Sequence, residues 1–254
     1  MPTLKVDTPH MKAKIALARE YGDKVKELSL DFNEKFDRSW RHYLTKIRKD
    51  IASGKDTKDT LDDLFSTSRT LLAGLLSGCV RLICEREHED YDRYGALLSS
   101  SVEQCGIGYY EDSLNRYREI VSEEIQFAVN DGKYYDISLF LLNPLGYMSD
   151  RKNGVSALKE GIQEVGKGVS YSLADNMKRL GISAAALAYS FGLLELWKSK
   201  GGIEGYFGVR NSTFPCSLCD SHAYEFIPLS GGMIYPLHNR CVCSIVPVTQ
   251  SELS

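Results

Sequence analysis

Apolar residues recur every three or four positions from Pro9 to about Ala52. Tyr21, Val25, Leu28, Phe32, Phe36, Trp40, Leu44, Ile47 and Ile51 fall on one side of a single long helix. Thr8 followed by Pro9 supplies a cap and a first-turn proline, and the polar run SGKDTKDT at 53–60 supplies the stop. Unbroken, such a helix reaches about 65 Å at about 1.5 Å per residue. It therefore needs partners along its length, either later helices or another protein. Charged stretches on its rim, such as EKFDR and KIRKD, read as solvated surface.

A second helical pattern runs from about Thr60 to Tyr94. Its middle, LLAGLLSGCVRLICE, is apolar nearly all round, as in the central helix of a bundle, and Gly74 and Gly78 offer a close approach to a neighbour. The next stretch, HEDYDRYGALLSSSVEQCGIGYY, reads as a break with a loop at Gly106–Gly108. A third helix is expected from Glu111 to Asn130, with a glycine cap at Gly132. A short apolar segment at 137–154 is interrupted by Asn143–Pro144. Helical signals then return up to Trp197, with Gly181 and Gly201–Gly202 as expected ends.

After Gly202 the texture changes. IEGYFGVRNSTFP and CSIVPV are short, aromatic or β-branched, and bounded by Gly, Asn and Pro, which is the pattern of strands. The fold class expected is α+β and mostly α. An N-terminal helical bundle with a long first helix, residues 1–134, precedes a C-terminal domain, 135–254, that holds a small β-rich Cys/His module at 203–248.

Composition narrows the function classes. The 254 residues are 43% hydrophobic and 26% charged, with net charge -3, so the chain can bury a core and its overall field does not favour a phosphate backbone. The N-terminus lacks a basic stretch followed by an apolar one, so no secretory signal is expected. The longest apolar run, Thr70 to Ile83, contains Ser77 and Arg81 and falls short of the roughly 20 residues that span a bilayer. No membrane partner is expected. Of the seven cysteines, Cys79, Cys84 and Cys105 read as small buried hydrophobes.

The other four gather near the C-terminus in the order Cys216-x2-Cys219, His222, His238-x2-Cys241-x-Cys243. A CxxC turn sets two thiolates on one side of a tight loop at metal-bonding distance, and a second pair completes a tetrahedron. Between the pairs, AYEFIPLSGGMIYP looks like a hairpin turning at Gly231–Gly232. Zn²⁺ is the usual ion for such donors, and a site of this kind would close a module too small to hold together by its own core. Six donors compete for four places. The preferred set is Cys216, Cys219, His238 and Cys241, with Cys243 the competitor for the last place and His222 outside. A metal-free cluster and a catalytic metal are the other readings, the latter needing an open position and a general base, for which Glu225 is the nearest candidate. A deaminase arrangement is absent, since no His-x-Glu precedes a Pro-Cys-x-x-Cys. PLHNRC does not make a His-Asn-His nuclease either, because no helix of adequate length follows His238.

The string NPLGY, then Asn176, Arg179 and Leu180, then Tyr206 and Val209, then CxxCD and YPLHxRCxC resembles the phage Mu F-like (MuF) minor head, or head morphogenesis, proteins. The matching module residues are Cys216, Cys219, Pro236, His238, Cys241 and Cys243. The resemblance covers residues 135 to 250 and leaves out the N-terminal helices. The chain departs from the family at Asn239, where proline is usual, and at DSHAYEF after the CxxC. The resemblance implies a virion protein made in the bacterial host cytoplasm, a minor component of the head associated with portal or capsid proteins, present in several copies and acting in head morphogenesis or DNA packaging and ejection. Contact with the packaged DNA is compatible with that place. It brings no catalytic residues, so the expectation is a non-enzyme. Two alternatives are kept: a nuclease- or toxin-like enzyme, which in this family comes as an extension after the module where none is expected here, and a zinc-dependent nucleic-acid-binding protein, for which Arg210 and Arg240 are a thin footprint beside the cysteines.

Overall fold

The structure is a computed structural model and describes residues 6–130, 173–211, 216–232, 235, 237 and 241–253. The described chain is mostly helical with a small antiparallel sheet near the C-terminus, the α+β class that the patterning predicts. Among the described residues four long helices come first: α1 (Pro9–Ala52), α2 (Lys58–Arg86), α3 (Tyr91–Asn130) and α4 (Leu173–Lys200). They are followed by β1 (Gly205–Val209), the short α5 (Ser217–Ser221), β2 (Ile227–Pro228) and β3 (Ser244–Val248).

Helix α1 begins where its sequence says it should. The Thr8 hydroxyl accepts the backbone N–H of Met11 at 3.2 Å, Pro9 occupies the first helical position, and Gly54 takes the left-handed conformation just past the end. Tyr21, Val25, Phe32, Phe36, Trp40 and Ile47 are all buried, so the inferred face is the one that packs.

The glycines of α3 and α4 correct two sequence expectations. Gly106 and Gly108 do not form a loop; α3 runs unbroken through them. Gly106 is present for contact, because a Cβ there would lie 2.5 Å from Leu76 Cδ2 and 3.2 Å from Ala188 Cβ. Gly181 likewise does not end a helix: its bare backbone lies against the Phe32 ring, 2.3 Å from where a Cβ would stand. Gly78 admits Leu28 closely, as anticipated, whereas Gly74 has nothing within 4 Å. The end expected at Tyr94 comes earlier. His88 adopts φ 54, its N–H reaches the Glu85 carbonyl at 3.3 Å and that of Glu89 reaches Cys84 at 2.8 Å. This pair of bonds is a left-handed helix stop, and Asp90 then caps α3 by accepting the Asp92 N–H at 2.9 Å. The expected cap at Gly132, the Asn143–Pro144 break and the helical signals at 155–172 lie outside the described residues.

Contacts group the chain into two compact units. One comprises Met1–Phe32, Leu71–Tyr110 and Leu180–Ser254. Its helical core is built from Leu72, Leu75, Leu76, Val80 and Ile83 of α2, Leu98 and Val102 of α3, and Leu193, Leu194 and Trp197 of α4. The other takes Asn33–Thr70 and Glu111–Arg179, and in it Phe36, Trp40, Ile47, Leu61, Leu64 and Phe65 are all buried. There the Tyr43 and Thr67 hydroxyls meet at 2.9 Å and Lys178 pairs with Asp37 at 3.1 Å.

By length and composition, Lys58–Arg86 and Lys178–Lys200 are each long and apolar enough to cross a membrane. This extends the shorter Thr70–Ile83 run seen in the sequence. Most of the second stretch is buried against other parts of the protein, as in the central helix of a bundle.

The sheet has the order β2-β1-β3, antiparallel throughout, with Phe207 opposite Val246 and Gly205 opposite both Pro228 and Val248. Pro247 is tolerated because β3 is an edge strand. Both faces are covered. Phe207, Val209, Val246 and Val248 pack on Met11, Ile15 and Ala18 from the first turns of α1. On the other face Tyr235 lies over Gly208, where a Cβ would come within 1.9 Å of the ring, and the Tyr206 hydroxyl donates to the Gly232 carbonyl at 2.7 Å. The hairpin expected at Gly231–Gly232 is replaced, among the described residues, by a 3₁₀ turn at Leu229–Gly231, and β2 pairs with β1.

A buried three-cysteine centre

The CxxC segment is a short helix start. Cys216 is extended at φ -143, ψ 101, and its carbonyl accepts the Asp220 N–H at 2.9 Å, so Cys219 sits one turn further on with its side chain turned inward. The second pair, Cys241-x-Cys243, leads into β3. Alternation would put its two side chains on one side of extended backbone, and both are buried.

Cys219, Cys241 and Cys243 converge. Their sulfurs lie within 4.8 Å of one another, and the Cys219 and Cys241 sulfurs are 3.7 Å apart. A disulfide would need about 2.05 Å. A tetrahedral ion bonded at about 2.3 Å separates neighbouring sulfurs by about 3.8 Å. The observed spacing therefore fits an edge of a thiolate tetrahedron, and the centre has the donors and the geometry to hold a metal ion.

Hydrogen bonding within the centre divides the thiols. The Cys243 thiol donates to Cys241, and the backbone N–H groups of Cys243 and Leu237 add to it; against the opposing effect of burial, these lower the Cys241 thiol to about 5. Cys243, the donor in that pair and itself buried, is raised. Burial first, and then the bond with Cys216, push Cys219 up to about 12. The Tyr235 hydroxyl is raised by burial and by the three thiols beside it, and it donates to the His222 carbonyl at 2.7 Å.

Of the sequence-derived ligands, Cys219, Cys241 and Cys243 share the centre. Cys216 is half-buried and bonds to the Cys219 thiol. His238, placed in the preferred set, lies outside the described residues. Cys243, ranked as a competitor, is a full member. His222 points elsewhere: its Nδ1 pairs with Glu225 at 2.7 Å, and both side chains are well exposed. The candidate general base is thus committed to a surface pair. The cavity beside Cys243, lined also by Val25, Ser29, Tyr189 and Ser190, measures about 10 Å³, room for about one water.

The sequence did not reveal what grips the module from outside. Gly22 of α1 lies so close that a Cβ would be 2.0 Å from Asn211 Nδ2 and 2.2 Å from Ser244 Oγ. Asn211 Nδ2 donates to the Arg19 carbonyl at 2.9 Å. Lys14 bonds both Glu252 carboxylate oxygens at 2.9 Å. Arg86, buried at the end of α2, donates to the Ile245 carbonyl at 2.7 Å. A glycine in the middle of an otherwise good helix was the only available sign of the first of these.

The three other cysteines lie outside the centre. Burial raises Cys79 to about 12 and Cys105 to about 11, and raises Cys84 as well. No family model matches the chain, and neither a curated protein nor a solved structure matches it significantly.

Proposed function

We propose that this chain is a non-enzymatic assembly protein of a tailed-phage head, a minor head protein of the MuF type, whose C-terminal module is locked by Zn²⁺ on Cys219, Cys241 and Cys243. The fourth ligand comes from Cys216 or His238. The observation that carries the reading is the enclosed trio of thiols at tetrahedral spacing, joining a CxxC helix start to a CxC strand start. An ion held by three or four thiolates is a staple, since a catalytic zinc keeps a position for water and has a base at hand. Here Glu225, the nearest candidate base, pairs with His222 at the surface.

The order of elements supports the family reading. Arg179 and Leu180 lie on the helix that precedes the module, Tyr206 and Val209 lie on its first strand, and the cysteine pairs follow in the family's order. The proposed partners are the portal and the inner capsid surface, and the place of action is the virion head. Deleting the gene from its phage or prophage tests the proposal. Peptides of this chain in purified wild-type heads, together with empty or non-infectious heads from the deletion, are the expected result. Complete absence of the chain from purified heads would overturn it.

A further inference from the structure

Helix α1 changes the sign of its charge part-way along. From Glu20 to Glu34 there are five carboxylates and two cations; from Lys35 to Lys49 there are six cations and one carboxylate. The order within each segment says more than the count. In the first, Glu20, Asp23, Glu27 and Asp31 follow one another at steps of three, four and four, which makes one row along a helix, and all four are exposed. In the second, Lys49, Lys46, His42 and Arg38, read backwards, follow at the same steps of three, four and four, and these too are all exposed. Val25 and Phe32 in the first segment, and Phe36 and Trp40 in the second, are buried, so each row lies on the side of its segment that packing leaves open. Each row is about 16 Å long at about 1.5 Å per residue.

The minority charges stand beside the rows. Lys24 reaches Glu85 at 2.8 Å and also touches Glu20 at 3.1 Å, Lys26 lines the cavity beside Cys243, and Asp37 is turned to Lys178 at 3.1 Å. Row members have partners within the chain as well: Lys46 approaches Asp63 at 3.4 Å, and Asp31 takes part in interactions of its own. Exposed pairs of this kind are weak and exchange readily, so they leave both rows able to take a second partner.

We propose that α1 is the docking surface for a second copy of this chain, laid antiparallel, so that the acidic row of each copy faces the basic row of the other. In that register Glu20 faces Lys49, Asp23 faces Lys46, Glu27 faces His42 and Asp31 faces Arg38, and two-fold symmetry makes each contact twice. Charge complementarity selects the occupant. A uniformly acidic or uniformly basic partner answers one row and repels the other. The fitting partner carries both rows, in opposite order and at the same steps, and this helix is itself such a partner. Within one chain the rows cannot answer each other, because they follow one another along a single helix. A parallel pair is excluded as well, since it sets like charges together. The dimer so formed is weak and exchanges, because exposed ion pairs act by their number and the rows contain no apolar anchor. The inference stands apart from the assembly reading: it needs no head, portal or metal.

The test is sedimentation velocity of the full chain across a salt series. At low salt the average mass should rise with protein concentration to that of a dimer and no further, and at about 0.5 M salt, where screening cuts in at about 4 Å, it should return to that of the monomer. Asp23→Lys/Glu27→Lys and His42→Glu/Lys46→Glu should each weaken self-association at least about tenfold, since like charges then meet. Mixed in equal amounts, the two variants should pair again, because each supplies the sign that the other lacks. Asp23→Lys/Glu27→Lys mixed with Arg81→Glu/Arg93→Glu, which reverses two exposed cations outside α1, should pair less well, and this separates the register from net charge. Melting curves check the fold, and where a reversed variant does not fold the neutral Asp23→Asn/Glu27→Gln should still weaken self-association. Monomer at every salt concentration, association that salt leaves intact, growth beyond the dimer, or no recovery on mixing would each overturn the assignment.

Discussion

Arg86, in the last turn of α2, donates from Nη2 to the carbonyl of Ile245 in β3 at 2.7 Å. The guanidinium also lies 5.7 Å from the centre of the Trp197 ring and 3.3 Å from a Glu87 carboxylate oxygen, and its side chain is only 2% exposed. Trp197 in turn donates its indole N–H to Glu87 at 3.0 Å. One buried cation thus ties α2, α4 and the edge strand that follows the CxC pair.

Arg86→Ala should therefore destabilise the protein by about 3 to 5 kcal/mol, because it strands Glu87 and a buried carbonyl together. Lysine should recover little, since one ammonium does not reproduce a flat group that bonds and stacks at once. Denaturant unfolding followed by Trp fluorescence reads both. A loss below about 1 kcal/mol for Arg86→Ala would contradict the role given to this residue.

The glycines provide an internal comparison. Gly74→Ala, in a helix with open space, should raise stability by about 0.5 to 1 kcal/mol through helix propensity. Gly22→Ala and Gly208→Ala should lower it, because the new methyl meets Asn211 and Ser244 in one case and the Tyr235 ring in the other. Thermal melts of the three variants suffice, and the same sign in all three would refute the close approaches.

Glu252 makes a pH-dependent contribution. Burial alone would raise its carboxyl, but the Thr249 N–H, the Lys14 ammonium and the Thr249 hydroxyl together hold it below the usual carboxylate value. A carboxyl with a lowered folded pKa stabilises above its unfolded pKa of about 4.5, and that gain disappears as pH falls through the folded value. The stability gap between the native protein and Glu252→Gln should thus be full at neutral pH and close on acidification. Any other pH-dependent group acts on both forms alike, so the comparison isolates the carboxylate; a gap that widens toward low pH would contradict this assignment.

Elemental analysis should find one zinc per chain, lost in Cys219→Ser and in Cys241→Ser. Chelation should unfold the module and free the Met11, Ile15 and Ala18 face of α1 at the same time, since that face packs on β1 and β3. Protease cleavage within the first turns of α1 after chelation is the readout. Continued protection there in metal-free protein would mean that the sheet holds itself together without an ion.

Legibility followed the range of the signal. Helix α1 was readable from end to end because its cap, its proline and its apolar repeat are all local. The strands were readable because short β-branched runs between turn residues have few other uses. The glycines at 106 and 181 were misread, since the same residue serves a loop and a close contact, and only Leu76, Ala188 and Phe32 decide between them. The stop at His88 was missed because histidine seldom takes the left-handed position that ends a helix. In the site, spacing identified the cysteines, but burial and approach of the chain decided that Cys243 belongs with Cys219 and Cys241.

The Lys14–Glu252 pair joins residues 238 positions apart. On the ribosome, at about 5 to 20 residues per second, roughly 10 to 50 s separate the emergence of the two. Through that interval the Met11, Ile15 and Ala18 stripe lacks the β3 residues Val246 and Val248 that cover it in the finished fold. β3 is the strand that ends the wait.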